Sequence, residues 1–258
     1  SQSASANLTL YAGWDTISTA PTATSGVEYI DVTDVMPGAT LKLYTTNGNL
    51  VSTAYRDMGS GVYRFENILP HNLLYYVTQS VGGHESVNSL FVNSSFRTPI
   101  ATGGIEYVDV TNVSSSATIR LYKVGGGIIS SSPTDMGSGV YRFENITPDS
   151  AGFYVTQYAN NIESANCPFF GVSLRIPSII GGNNQVTVSN IFPGANVTLY
   201  DISGNQVQAA NNVTTATHQF INVDSGSGYY VQQTIDEVIS LPSNTATVYS
   251  SGTKFVGG

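Results

Sequence analysis

The sequence predicts an all-β protein made of three tandem antiparallel β-sandwich repeats arranged as a rod. Three observations lead to this prediction. The twelve residues DMGSGVYRFENI occur at 57–68 and again, letter for letter, at 135–146. Apolar and polar residues alternate within short segments, as they do in half-buried strands. Turn sequences such as MPGA, TNGN and MGSG separate these segments at short intervals, which is typical of small sandwiches.

The repeat extends well beyond the twelve-residue string. Residues 26–98 and 104–176 are identical at 36 of 73 aligned positions without a gap. A third, more diverged copy is visible where VSNIFPGANVTLYDISGNQV (188–207) matches VTDVMPGATLKLYTTNGNLV (32–51). Self-similarity at a fixed period is typical of tandem arrays. The predicted divisions are an N-terminal extension (1–20), a first repeat (21–98), a second repeat (99–176) and a third repeat with a C-terminal tail (177–258).

Alternation within each repeat assigns side chains to one face or the other. The predicted inward residues of the first repeat are Val32, Leu41, Leu43, Tyr63, Phe65, Tyr75 and Val77. Lys42, Arg64 and Glu66 fall between them and are expected to face water.

The DMGSG string reads as a turn that leads into the strand VYRFEN. The Asp57 side chain can accept a hydrogen bond from the backbone two residues on, and the two glycines allow positive φ. A calcium site formed by Asp57 and Glu66 is the alternative. Only these two acidic residues recur in the second copy and the third copy keeps neither, so a turn is favoured.

The connections between repeats are short, and the first twenty residues contain a further strand-like segment. FRTPIATGG and LRIPSIIGG join successive repeats directly, which predicts a stiff array. In ANLTLYAGW (6–14), Leu8, Leu10 and Tyr11 resemble an extra strand that could add to an open sheet edge of another subunit. Trp14, the only tryptophan, either contacts a partner or sugar, or caps the first repeat.

Composition argues against several classes of function. The net charge is −8 and only 10% of residues are charged, without Lys/Arg clusters, so nucleic-acid binding is not expected. No apolar stretch approaches the ~18 residues that a membrane span needs. The histidines His71, His84 and His218 occupy different repeat positions, and the single Cys167 reads as a small buried residue. We therefore expect no catalytic site, no metal site and no cofactor.

The strings PGATLKLYTTNGNLV, DMGSGVYRFENILP, LYYVTQ and GGHES resemble bacterial cell-surface repeats. One similar group is the B-type repeats of Gram-positive collagen-binding adhesins and the related carboxypeptidase-regulatory-like modules. The other is the immunoglobulin-like repeats of S-layer-associated proteins. The resemblance implies immunoglobulin-like or prealbumin-like sandwiches and a secreted, cell-surface location. It covers nearly all of residues 21–252 and specifies fold better than activity.

The chain departs from the B-type pattern at one column. Many B-type repeats form a Lys–Asn isopeptide bond with the help of a Glu, but that column here holds Gln79, Gln157 and Gln233. Gln cannot transfer the proton that the condensation needs. The lysines, Lys42, Lys123 and Lys254, also lie outside the first strand of a repeat. We expect no isopeptide bond, and we expect these glutamines to satisfy backbone groups at the end of each sandwich.

Two hypotheses about function follow. The first is a structural or assembly protein, such as a stalk, an S-layer component or a filament subunit, whose partners are copies of itself or cell-wall components. The second is an adhesin or carbohydrate-binding module that recognises a glycan or host protein through its loops. An enzyme is not expected, because catalysis needs a nucleophile beside a base, or tuned carboxylates, in a pocket.

Overall fold

The computed structural model describes residues 19–250 and Gly252, and these residues form strands, turns and loops without a helix. The all-β prediction is therefore confirmed. Among these residues, no helical segment meets the length and hydropathy of a bilayer-spanning helix.

The chain divides into two compact units. The first contains the residues up to Arg97 together with Ala159–Ile162, and the second contains Thr98–Tyr158 and the residues from Glu163 onward. The division into three repeats with the boundaries given above stays a prediction. It is supported by three separate clusters of buried side chains, one in each repeat.

The first repeat contains eight strands in two sheets. The strands are β1 (Thr22–Ser25), β2 (Tyr29–Thr33), β3 (Thr40–Thr45), β4 (Leu50–Ser52), β5 (Arg56–Gly59), β6 (Val62–Glu66), β7 (Tyr75–Val81) and β8 (His84–Glu85). Their orders are β1-β2-β6-β5 and β4-β3-β7-β8, and every neighbouring pair is antiparallel.

The second repeat has the same arrangement. Its strands are β9 (Ile100–Gly103), β10 (Tyr107–Thr111), β11 (Thr118–Lys123), β12 (Ile128–Ser130), β13 (Thr134–Gly137), β14 (Val140–Glu144), β15 (Phe153–Ala159) and β16 (Ile162–Glu163). The sheet orders are β13-β14-β10-β9 and β12-β11-β15-β16. The glycine-rich stretch 124–127 is the turn of the β11–β12 hairpin.

The third repeat also has two sheets, but the strands at their edges differ from those of the first two repeats. Its strands are β17 (Ser178–Gly182), β18 (Gln185–Ser189), β19 (Ala195–Tyr200), β20 (Gln206–Val213), β21 (His218–Ile221), β22 (Gly226–Ile235), β23 (Val238–Ile239) and β24 (Ala246–Val248). One sheet has the order β17-β18-β21, and the other has the order β20-β19-β22-β23 with β24 also paired to β22.

In each repeat the two sheets share one core, which makes each repeat a β-sandwich. In the first repeat Phe65 from one sheet and Leu43 and Val77 from the other are completely buried in the same cluster. Alternation therefore located the inward residues correctly, except that Tyr63 is only partly buried. Its ring packs edge-on against Tyr55 at the margin of the core, with 5.7 Å between centroids.

The DMGSG string forms the predicted turn. The Asp57 carboxylate accepts a hydrogen bond from the Gly59 backbone N–H at 2.8 Å. Gly59 and Gly61 have φ values of 81° and 78°, which favour glycine because a Cβ is strained there. The register shifts between Asp57 and Gly59, so the string is a bulged hairpin that joins β5 to β6.

In the segment that follows β8, every third residue is hydrogen-bonded to β7. The backbone N–H groups of Ser86, Ser89 and Val92 donate at 2.9 Å to the carbonyl groups of Gln79, Val77 and Tyr75 on β7. Each advance of three residues along this segment therefore matches an advance of two residues along β7. The extra residue leaves some β7 N–H groups without a backbone acceptor opposite, and serine hydroxyls fill two of these positions. The Ser86 hydroxyl accepts from the Gln79 N–H at 3.0 Å, and the Ser89 hydroxyl accepts from the Val77 N–H at 2.9 Å.

The other repeats use the same device. The Cys167 sulfur accepts a hydrogen bond from the Val155 N–H at 3.1 Å, and the Ser243 hydroxyl accepts from the Val231 N–H at 3.0 Å. Such a bulged segment satisfies one edge of the sheet without offering a regular ladder to another strand. Irregular edges of this kind protect β-proteins from unwanted pairing.

Replacing Ser89 with alanine tests the side-chain contribution to this edge. Ser89→Ala leaves the buried Val77 N–H without an acceptor, so we expect a loss of about 1–3 kcal/mol in the free energy of unfolding. Chemical denaturation measures the loss, and amide hydrogen exchange at Val77 locates it. Thr53→Ala, at an exposed loop position, is the matched control and should leave both readouts unchanged. Equal stability of the two variants would show that the hydroxyl contributes nothing.

Candidate functional site

The glutamine column is the most deeply buried polar feature of the described chain. Gln79, Gln157 and Gln233 are each 0% exposed. They lie on the long strands β7, β15 and β22, and Gln79 is directly opposite Leu41 on β3. The alternation that places Val77 in the core also turns Gln79 inward, toward the end of the sandwich.

Gln79 bonds three backbone groups through its side-chain amide. Its Oε1 accepts a hydrogen bond from the Met36 N–H at 2.7 Å. Its Nε2 donates to the carbonyl of Thr19 at 2.6 Å and to that of Asp34 at 3.3 Å. Thr19 lies just before β1, so this side chain fastens the segment that enters the first repeat.

Gln233 repeats the arrangement in the third repeat. Its Oε1 accepts from the Phe192 N–H at 2.7 Å, and its Nε2 donates to the carbonyls of Arg175 at 2.8 Å and Asn190 at 3.3 Å. In the second repeat, Gln157 Oε1 accepts from the Ser114 N–H at 2.8 Å. Gln79 and Gln233 require a donor and an acceptor on one side chain, which an amide supplies and an ionised carboxylate does not.

Both described lysines form ion pairs, Lys42 with a carboxylate at the surface and Lys123 with a buried one. Lys42 Nζ lies 3.1 Å from Glu85 Oε2, and this hydrogen bond raises the pKa of Lys42. Lys123 pairs with Asp149, which lowers the pKa of Asp149 through the hydrogen bond between them. Lys254 lies outside the described residues. The expectation that no isopeptide bond forms stays a prediction.

A buried glutamate with unusual backbone geometry joins the start of a repeat to its end. Glu28 and Glu106 have φ values of 62° and 61°, in the left-handed region that few non-glycine residues adopt. Glu28 forms an ion pair with Arg97, and Glu106 forms one with Arg175. The hydrogen bonds to these carboxylates raise the pKa of both arginines.

The pair in the second repeat belongs to a larger network at the connection to the third repeat. The Arg175 N–H donates to Glu106 Oε1 at 3.1 Å, and its guanidinium Nε donates to the same oxygen at 2.7 Å. Its carbonyl accepts from Gln233. A separate contact joins the same two repeats, in which the Ser150 backbone N–H donates to the Asp236 carbonyl at 3.1 Å.

The remaining candidate residues do not assemble a reaction centre within residues 19–250. There, no group of three His, Cys, Asp or Glu side chains lies close enough to hold a metal ion. Asp57 serves the turn, and Glu66 lies 3.7 Å from Arg56. Cys167 is buried, and burial raises the pKa of its thiol. Lower nucleophilicity at neutral pH follows. The proposed assembly segment with Leu8, Leu10, Tyr11 and Trp14 lies outside the described residues.

Sequence reasoning missed the glutamate–arginine pairs and the period-three edge. A signal for the pairs was present in the internal repeat. Glu28 and Arg97 recur unchanged as Glu106 and Arg175, which are charged residues in a chain that has few of them. Alternation alone could not pair residues that are 69 positions apart.

No protein-family model matches the chain, and no curated protein matches it. Among solved structures, the FN1–FN3 domains of chicken CNTN1 align with 12% identity over 90% of this chain and 99% of theirs, at a TM-score of 0.25. The BSP domain of a biofilm associated protein aligns with 13% identity over 91% of this chain and 67% of that one, at 0.26. The I9-I11 tandem from titin aligns with 15% identity over 91% and 98%, at 0.24.

These neighbours are tandem immunoglobulin-like or fibronectin type III-like domains. Because the identities and TM-scores are low, the assignment of the fold rests on the strands and pairings of this chain. The functions of the neighbours are not transferred to it.

Replacing the buried amide with an acid tests the glutamine column. Gln233→Glu places a carboxylate against the carbonyl oxygens of Arg175 and Asn190, where it has no proton to donate at neutral pH. We expect a loss of at least about 3 kcal/mol in the free energy of unfolding, because an uncompensated buried charge is costly. Chemical denaturation at pH 7 measures it. Gln206→Glu makes the same charge change at an exposed position of β20 and should be nearly neutral. A Gln233→Glu variant as stable as this control would contradict the assigned role.

Proposed function

We propose that this chain is a non-catalytic, extracellular structural protein in which tandem β-sandwiches act as stiff spacers. One observation carries the proposal. Arg175, in the connection between the second and third repeats, is bonded on both sides, through its N–H and guanidinium to Glu106 and through its carbonyl to Gln233. A residue held in this way cannot serve as a free hinge.

Further contacts restrict the same connection. The Ser150 hydroxyl donates to Glu237 Oε2 at 3.1 Å, beside the backbone hydrogen bond from Ser150 to Asp236. The Arg175 guanidinium lies 5.5 Å from the centroid of the Phe192 ring. Several weak contacts between the second and third repeats resist bending more than a single contact would.

The proposed cell-surface setting rests on the resemblance to bacterial surface repeats. The composition agrees with that setting, since only 10% of residues are charged and neutral polar side chains supply the solubility. The finer identification with B-type or S-layer-associated repeats rests on the turn and core strings alone. A stalk, an S-layer component and a filament subunit are the settings in which such a spacer would serve, with cell-wall components or other copies of the chain as partners.

Distance measurements across the connection test its stiffness. Spin labels at Ser132→Cys and Ser203→Cys, in a Cys167→Ser background, report the distance between exposed sites on the second and third repeats. We expect a narrow distance distribution by pulsed electron paramagnetic resonance. Arg175→Ala should broaden it, because the guanidinium bonds to Glu106 are lost while both sandwiches keep their cores.

Arg142→Ala is the matched control for this experiment. It removes an arginine–carboxylate pair of similar geometry, in which the Arg142 Nε lies 2.6 Å from Asp109 Oδ1, on a sheet face of the second repeat. The distribution should stay narrow. A broad distribution in the unsubstituted chain would refute the stiff-spacer proposal.

If the protein is a filament or S-layer subunit, we propose that copies associate through the N-terminal segment. We expect negative-stain microscopy to show fibres or sheets that grow with protein concentration. Deletion of residues 1–18, which keeps the Thr19 carbonyl that Gln79 bonds, should abolish them while the thermal unfolding of the remaining chain is unchanged, because a strand added to another subunit is not needed within one. Isolated particles at every concentration would exclude assembly by the chain alone, and unchanged fibres after the deletion would exclude this segment.

A further inference from the structure

The outer face of the sheet that contains β3 and β7 carries a cross-strand tyrosine pair, and each of the other repeats has its counterpart. The pairs are Tyr44–Tyr76, Tyr122–Tyr154 and Tyr200–Tyr230, with 5.3, 4.9 and 5.2 Å between ring centroids and interplanar angles of 16°, 3° and 16°. Cross-strand aromatic pairs stabilise sheets. Stability accounts for the stacking but not for the features that surround it.

An exposed phenylalanine extends the pair in two repeats. Phe91 is 55% exposed and lies 6.0 Å from the Tyr76 ring. Phe169 is 64% exposed and lies 5.8 Å from the Tyr154 ring. Both come from the period-three segment, in which the residues between the bonded positions face outward. We call Tyr44, Tyr76 and Phe91 in the first repeat, and Tyr122, Tyr154 and Phe169 in the second, the tyrosine face.

The tyrosines persist on a surface where neighbouring residues change. Two positions before Tyr44 on the same outer face stands Lys42, and the matching residues of the other repeats are Arg120 and Thr198. The tyrosine column itself is unchanged in all three repeats, although the third has diverged far from the first. Retention at a half-exposed position indicates a requirement beyond solvation.

A shallow recess lies beside the tyrosine face. In the second repeat it has a volume of about 280 Å³ and is lined by Tyr122, Tyr154, Thr156, Glu163, Ser164 and Asn166. In the third repeat a recess of about 380 Å³ at the matching position is lined by Tyr230, Gln232, Pro242, Ser243 and Thr245. The linings combine aromatic rings with hydroxyl and amide groups. They therefore offer both apolar contact and neutral hydrogen-bonding partners.

In the recess of the second repeat, the one carboxylate is already paired with a cation and with two hydroxyl groups. Glu163 accepts a hydrogen bond from the Thr156 hydroxyl at 2.5 Å and from the Tyr122 hydroxyl, and it lies 3.5 Å from the Arg120 guanidinium. An anionic ligand would therefore meet a paired carboxylate and no surplus cation. A cationic ligand would have to displace Arg120. A neutral ligand with many hydroxyl groups fits this lining best.

We propose that the tyrosine face binds a neutral polysaccharide. The C–H faces of sugar rings pack against the exposed phenylalanine and the tyrosines, while sugar hydroxyls bond the side-chain amide of the exposed Asn166. A polymer with repeated units suits a face that is itself repeated along the chain, because linked weak sites gain affinity together. The third repeat has Thr245 where the others have phenylalanine, so its contribution is smaller.

Affinity gel electrophoresis of the full chain tests this proposal. The probes are four neutral polysaccharides cast in the gel, namely mixed-linkage β-glucan, galactomannan, arabinoxylan and amylopectin, with heparin as the anionic comparison. We expect at least one neutral gel to retard the chain and heparin not to. Phe91→Ala and Phe169→Ala together should weaken binding about a hundredfold, on the order of tenfold per aromatic ring.

Ile180→Ala is the matched control, because Ile180 is an exposed apolar residue on β17, away from the tyrosine face. It should bind like the unsubstituted chain, and thermal unfolding should confirm that all variants are folded. Absence of retardation in all four neutral gels, retardation by heparin alone, or equal retardation of the double variant would each overturn the proposal. So would a double variant that only loses self-association in sedimentation velocity, since the face would then be covered by a second copy. None of these readouts depends on the stiffness of the connection at Arg175.

Discussion

The structure depends on satisfying backbone polar groups at places where no strand can reach them. Buried N–H and C=O groups that lack partners are costly. The end of a sandwich and its last edge are the places where sheet ladders stop. Gln79 solves the problem at the end of the first repeat, with one amide that bonds an N–H and two carbonyls. Ser86 and Ser89 solve it at the edge, with hydroxyls that accept from β7.

This constraint links the interior of each sandwich to the connections between them. The amide of Gln233 needs a carbonyl to receive its N–H, and the carbonyl it finds belongs to Arg175 in the connection. The same residue is held on its other side by Glu106, whose backbone adopts a conformation that is costly for a glutamate. A conformation of that kind persists only where its surroundings impose it. The hydrogen bond that satisfies the end of the third sandwich thus also restrains the backbone of the connection at Arg175.

The edge solution has a consequence for the surface. With three residues of the final segment running beside two of the long strand, only one in three is bonded inward. The remaining two face outward, and in the first repeat they include Leu90 and Phe91. The segment therefore blocks a sheet edge and at the same time displays aromatic and aliphatic side chains beside the tyrosine pair. An ordinary strand would have turned half of these residues into the core.

The sequence by itself determined the all-β class, the repeated sandwich plan, the inward residues such as Phe65 and Val77, and the DMGSG turn. Each follows from local periodicity or from the residues of a turn. The internal repeat adds evidence, because the same pattern recurs in another copy. The sequence also placed Gln79 on the inward face, because alternation extends along β7. Only the tertiary structure decided which backbone groups Gln79 and Gln233 bond, how Glu106 meets Arg175, and that Phe169 lies beside Tyr154. These contacts join residues far apart in the chain, and their geometry follows from how two sheets pack and where a strand is bulged. Local patterns do not encode either property.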